Sequence, residues 1–163
     1  MRFGAHVSIE GSFAEAARRA HALTCECMQI FAGPPRNFSR PGPEDDDATE
    51  FRALVAAYDL RPVVVHAGYL LHLVSAKKPT AHAARGLYKK ELDIAAALGA
   101  DYYVLHPGSA AGREHSEVID DLVKGMKSHE VEGVTVLVEN SANTNTGIGA
   151  RFEEVAEILG VPQ

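Results

Sequence analysis

Short apolar runs, each followed by a stretch of helical periodicity, narrow what this chain can fold into. Three of them read Pro62-Val63-Val64-Val65-His66, Tyr102-Tyr103-Val104-Leu105-His106 and Val134-Thr135-Val136-Leu137-Val138-Glu139. Runs this short, rich in Val and Leu, read as strands of a parallel sheet buried on both faces under helices. Each ends in a residue that metals favour. In such sheets, polar side chains at the carboxyl ends of strands collect at one rim, where the chemistry sits.

The rest of the chain supplies the helices and two more strands. Arg2 to Val7 reads as a first strand, and Ser12-Phe13-Ala14-Glu15 has capping-box spacing for a helix through Ala22. Cys27 to Phe31 reads as a second strand, followed by a loop marked by Pro34, Pro35, Pro41, Gly42 and Pro43. A helix begins near Asp47 and Glu50, with Phe51, Leu54, Val55 and Tyr58 on one face. Another follows Pro79, where Ala84, Leu87, Ile94 and Leu98 keep a stripe and Gly99 can close it. Val118, Ile119, Leu122, Val123 and Met126 mark the next. Phe152, Val155, Ala156 and Leu159 mark the last, stopped by Gly160 and Pro162. Regular alternation of this kind allows either an open doubly wound sheet or a barrel. The first strand leads into Gly4-Ala5-His6-Val7-Ser8 rather than a glycine-rich dinucleotide fingerprint. A barrel of the (β/α) type is therefore the expected α/β fold, in one domain over residues 1–163.

Charge and cysteine usage limit the function classes. A formal net charge of -6 argues against broad electrostatic adhesion to nucleic acid, while leaving room for local recognition by a few arginines around a metal centre. Cys25 and Cys27 form a lone Cys-x-Cys without the second ligand pair of a structural zinc site, and read as buried, reduced strand residues. Neither a secretion segment nor a run of membrane-spanning length is visible. The expectation is a cytoplasmic protein with no membrane partner.

One strand-end histidine is usually a hydrogen-bonding residue. Two, with a glutamate, on three successive strands favour a divalent-metal site at His66, His106 and Glu139. A three-ligand set leaves a position for water, whose pKa the ion lowers. His6 also ends a strand and could ligate, orient a ligand as its outer partner, or fill the barrel mouth. His72 reads as packing, and His21, His82, His115 and His129 as solvent-facing residues of helical stretches.

Taken together, the segments resemble the endonuclease IV family of apurinic/apyrimidinic endonucleases. The matching pieces are Gly4-Ala5-His6-Val7-Ser8, Met28-Gln29-Ile30-Phe31 with Arg36, His66-Ala67-Gly68-Tyr69-Leu70, Leu105-His106-Pro107-Gly108-Ser109 and Val138-Glu139-Asn140-Ser141-Ala142. The resemblance implies a TIM barrel and a trinuclear zinc centre that cleaves the phosphodiester 5′ to abasic sites in double-stranded DNA. By position, His66, His106 and Glu139 match the ligands of one zinc, and Glu139 the carboxylate that bridges to a second. Manganese or iron could also occupy such a set. Arg36 and Tyr69 match loop residues that probe the DNA. Pro34-Pro35 before Arg36, and Asn143-Thr144-Asn145-Thr146-Gly147 after the glutamate, depart from the family pattern.

Against the family, the chain reads as an incomplete barrel of about five of eight βα units. The expectations that follow are a truncated form with impaired activity and a homo-oligomer formed through exposed sheet edges. Two alternatives stay open: a sugar isomerase or epimerase of a related metal-dependent barrel, and an inactive barrel fragment.

Overall fold

The structure, a computed structural model, describes residues 1–141 and 146–160. Five strands alternate with five helices: β1 (Gly4–His6), α1 (Phe13–Ala22), β2 (Cys27–Phe31), α2 (Asp45–Ala57), β3 (Val63–His66), α3 (Lys78–Ala97), β4 (Tyr102–Leu105), α4 (His115–Met126), β5 (Thr135–Val138) and α5 (Phe152–Leu159). Every neighbouring pair is parallel, in the order β1-β2-β3-β4-β5. That order decides between the two architectures. A doubly wound sheet reverses its winding part-way, whereas a barrel adds each strand beside the last. These are five βα units of a TIM-type barrel.

The helices start where local chemistry starts them. Ser12 is extended, and its hydroxyl accepts the Glu15 N–H at 3.1 Å. Asp47 completes this cap from a distance: its carboxylate accepts the N–H groups of Phe13 and Ala14 at 3.0 and 2.9 Å. α2 itself begins at Asp45, earlier than expected, because three aspartates in its first turn suit the positive end of the helix. Gly99 takes φ +63° just past α3, and Gly160 takes φ +65° at the end of α5, as left-handed closures require. Pro162 lies outside the described residues.

Burial alternates along the strands, which corrects the expectation that both faces are buried. Met28, Ile30, Val63, Val65, Tyr103 and Leu105 are buried, in one core with Phe51, Val55, Leu92 and Leu122 of the helices. Their neighbours Gln29, Val64, Tyr102 and Val104 are only half-buried, and Leu137 is exposed. The helices cover the outer face alone. β1 is shorter than expected and all three residues are exposed. Among the described residues, each of β1 and β5 pairs on one side only.

Other expectations shift with tertiary context. Cys25 precedes β2 and Cys27 opens it; both are half-buried free thiols. His72 is exposed rather than packed. His129 lies beyond α4, where its Nε2 meets Asp93 at 2.7 Å. His115 meets Glu154 at 2.9 Å, and His21 stacks on Tyr58 with centroids 3.9 Å apart.

Candidate metal centre

The register places the strand-end residues. His6 pairs with Gln29 and Phe31 with His66, while Leu105 and Val138, a register pair, face the helices. Side chains alternate along a strand, so His106 and Glu139, one residue further on, turn to the inner face. The Glu139 N–H still donates to the Leu105 carbonyl at 2.9 Å, which holds both residues at the rim.

His66 Nε2 lies 2.9 Å from Glu139 Oε2, and His106 Nε2 lies 3.7 Å from the same oxygen. A ligand atom from each of the three residues falls within 4.8 Å of the others, the one cluster of this kind among the described residues. The His66 Nδ1–H donates to the Ala67 carbonyl at 2.9 Å. In neutral imidazole that leaves the Nε2 lone pair aimed at the carboxylate. Two acceptors facing each other need a cation or a proton between them. Ligands about 2.0–2.1 Å from a tetrahedral zinc lie about 3.3–3.4 Å apart, and the two observed separations bracket that spacing. The donor set thus fits a small divalent ion. His66 is buried, whereas the His106 and Glu139 side chains are 53% and 43% exposed, so the set is open to an incoming ligand.

Phe31 packs beside this cluster, its ring centroid 5.9 Å from His66, 4.3 Å from His6 and 5.5 Å from Tyr69. His6 shares the rim but makes its hydrogen bond elsewhere: the Gln29 amide donates to its Nδ1 at 2.8 Å. Burial lowers the His6 pKa, and the nearby His66 lowers it further. Arg36 is exposed on the loop between β2 and α2, and Tyr69 is exposed on the loop after β3. The Tyr69 N–H donates to the Pro35 carbonyl at 2.9 Å, so the two loops are joined next to Arg36. Position 142 and Asn143-Thr144-Asn145 of the turn after Glu139 fall outside the described residues.

Sequence reasoning missed the group beneath these loops. Arg40 and Glu91 form an ion pair at 2.7 Å with both side chains fully buried. The Glu91 carboxylate also accepts the Tyr103 hydroxyl at 2.7 Å and the Gly68 N–H at 3.2 Å. Arg40 Nη1 donates to the carbonyls of Pro34 and Ser39, each at 3.0 Å. Burial, then Glu91, push the Tyr103 hydroxyl well above its ordinary pKa and keep it a donor. Gly68 is required here, since a Cβ would stand 2.4 Å from Arg40 Nη2. One signal was visible: Glu91 interrupts the apolar stripe between Leu87 and Ile94. Arg40, in an aperiodic loop, gave none.

Residues 17–161 match the model of the xylose isomerase-like TIM barrel. The chain belongs to that family. Within the xylose isomerase-like TIM barrels, it is 34% identical over 159 residues to the probable endonuclease 4 of Haloarcula marismortui, covering 97% of this chain and 57% of that protein. It is also similar to the crystal structure of endonuclease IV from Thermus thermophilus, with a TM-score of 0.86 and 34% identity over 98% of this chain and 59% of the other. A D-tagatose 3-epimerase-like protein overlays with a TM-score of 0.71 at 19% identity, covering 98% of this chain and 60% of that one; this likeness shows the fold alone. The resemblance to endonuclease IV read from the motifs is upheld. The chain spans 57% and 58% of the length of the first two curated relatives it matches.

Proposed function

We propose that His66, His106 and Glu139 hold zinc as one corner of a multi-metal centre that cleaves the phosphodiester 5′ to abasic sites in double-stranded DNA. The observation that carries this reading is the metal-capable His-His-Glu cluster at the carboxyl rim of a chain 34% identical to a probable endonuclease 4. When bound, the metal supplies Lewis acidity and an activated water for attack on phosphorus.

The chain's own residues support the remaining roles. Ala67 fixes the His66 tautomer, so that the ring presents a lone pair rather than a proton. Glu139 meets both histidines through Oε2, which leaves Oε1 for a second ion. Two neutral imidazoles and one carboxylate leave a divalent ion with residual positive charge to attract a phosphate. Arg36 and Tyr69 stand on joined loops where they would meet the DNA, and His6 lines the mouth beside Phe31. Manganese is the competing metal.

No helix among the described residues is long and apolar enough to cross a membrane. The proposed setting is the cytoplasm, with self-association through β1 and β5, each of which pairs on one side only among the described residues. Metal analysis after dialysis, paired with cleavage of a synthetic abasic duplex, tests the metal reading. About one zinc per chain, lost in His66→Ala and Glu139→Ala, is the expected result. Failure to bind zinc in the unmodified chain would overturn the reading.

A further inference from the structure

The chain carries a net charge of -6, and six of its ten arginines are ion-paired among the described residues: Arg2 with Asp59, Arg18 with Glu15 and Glu50, Arg40 with Glu91, Arg61 with Asp101, Arg113 with Asp121 and Arg151 with Glu154. The start of α3 is different. Lys77, Lys78, His82 and Arg85 are exposed, and among the described residues none of their side chains is ion-paired. Lys78, His82 and Arg85 stand at i, i+4 and i+7, which is one stripe of the helix. They line a cleft with Arg113, from the loop between β4 and α4. The cleft's carboxylate, Asp121, is taken up by Arg113 at 2.6 Å, so it does not cancel the stripe. The first turn of α3 holds no acidic residue, and its amino end adds positive potential.

We propose that this stripe is a second contact surface for duplex DNA, binding the phosphate backbone to one side of the metal centre. The proposal rests on DNA being the partner. Its placement follows from topology: α3 begins after the carboxyl end of β3 and Arg113 follows β4, the strands that deliver His66 and His106. From Lys78 to Arg85 the helix rises about 10 Å, the axial rise of about three nucleotides. Contacts to phosphate carry no sequence information, so the stripe holds intact and abasic duplexes alike.

The test is fluorescence anisotropy of the whole chain on one intact duplex and on the same duplex carrying an abasic analogue, across a salt series. Lys78→Gln with Arg85→Gln should lower the slope of log K against log salt by about 1–2 on both duplexes. Lys124→Gln with Lys127→Gln, an equal charge change at the far end of α4, should leave the slope unchanged. Equal effects of the two pairs, no effect of the first pair, or no duplex binding by the unmodified chain would each overturn the proposal. A second readout uses unmodified protein: duplex should shield Lys77 and Lys78 from acetylation but not Lys124 and Lys127. The two readings fail separately. Loss of zinc binding with an intact slope effect removes only the metal reading, and normal zinc binding with no slope effect removes only the stripe.

Discussion

Two clusters gather charge at the carboxyl end of this sheet, and they are built in opposite ways. Arg40, Glu91 and Tyr103 lie under the loops that follow β2 and β3, with the ion pair wholly out of solvent. Its donors face acceptors: guanidinium, hydroxyl and amide N–H donate, and carboxylate and carbonyls accept, while Arg40 Nη2 meets Glu91 at 2.7 Å as an ion-pair contact without a hydrogen bond. His66, His106 and Glu139 instead bring acceptors together at an open rim. The closed cluster is complete within the protein and works as a clamp. The open one lacks a donor of its own and would be completed by a cation or a proton from outside. Proximity of charged residues does not mark a ligand site; an imbalance of donors and acceptors does.

The comparison can be broken at its stronger end first. Arg40→Ala leaves Glu91 buried without its partner and should cost about 3–5 kcal/mol in urea denaturation. An Arg40→Met, Glu91→Leu, Tyr103→Phe triple variant should recover part of that loss, because neither a charge nor the Tyr103 hydroxyl is then stranded, while the Gly68 N–H still loses its acceptor. A loss below about 1 kcal/mol, the scale of exposed pairs, would show that the clamp is not closed.

A smaller effect is expected at the rim. Zinc at about 100 times its Kd should raise stability by about 2.7 kcal/mol in the unmodified chain and not in His106→Ala or Glu139→Ala. Without metal, those variants should melt close to the unmodified chain, since the site holds no protein cation. A marked destabilisation in metal-free buffer would mean that the cluster is structural.

Between the two lies Glu154, a buried carboxylate on α5 with more open partners. Burial pushes its carboxyl up, but hydrogen bonds from His115, Arg151 and the Gly149 N–H outweigh this and hold its pKa below the ordinary value. A depressed folded pKa contributes stability above the unfolded pKa, about 4.3, and loses it as pH falls through the folded pKa. The gap in melting temperature between the unmodified chain and Glu154→Gln should therefore narrow from neutral pH into the acid range. A constant gap would remove Glu154 from the acid response.

Local chemistry made much of the fold legible before any contact was seen. Ser12 caps α1, Cys27 to Phe31 is β2, and Gly99 and Gly160 close α3 and α5, because caps, periodicity and glycine closures act within a few residues. His66, His106 and Glu139 were legible as a set because strand ends in this fold share a rim. Asp47 was not legible as a cap for α1, since its partners are 33 and 34 residues away. Nor was His129, whose partner Asp93 is 36 residues away on another element.

By itself, then, the sequence determined the alternation of strands and helices and the three strand-end residues that could hold a metal. Tertiary structure alone decided that the strands add in order as a barrel does, that helices cover one face of them, and that Arg40 and Glu91 meet in a closed clamp. The reason is physical: periodicity and capping are properties of neighbouring residues. Strand order, burial and charge complementarity belong to residues that only the fold brings together.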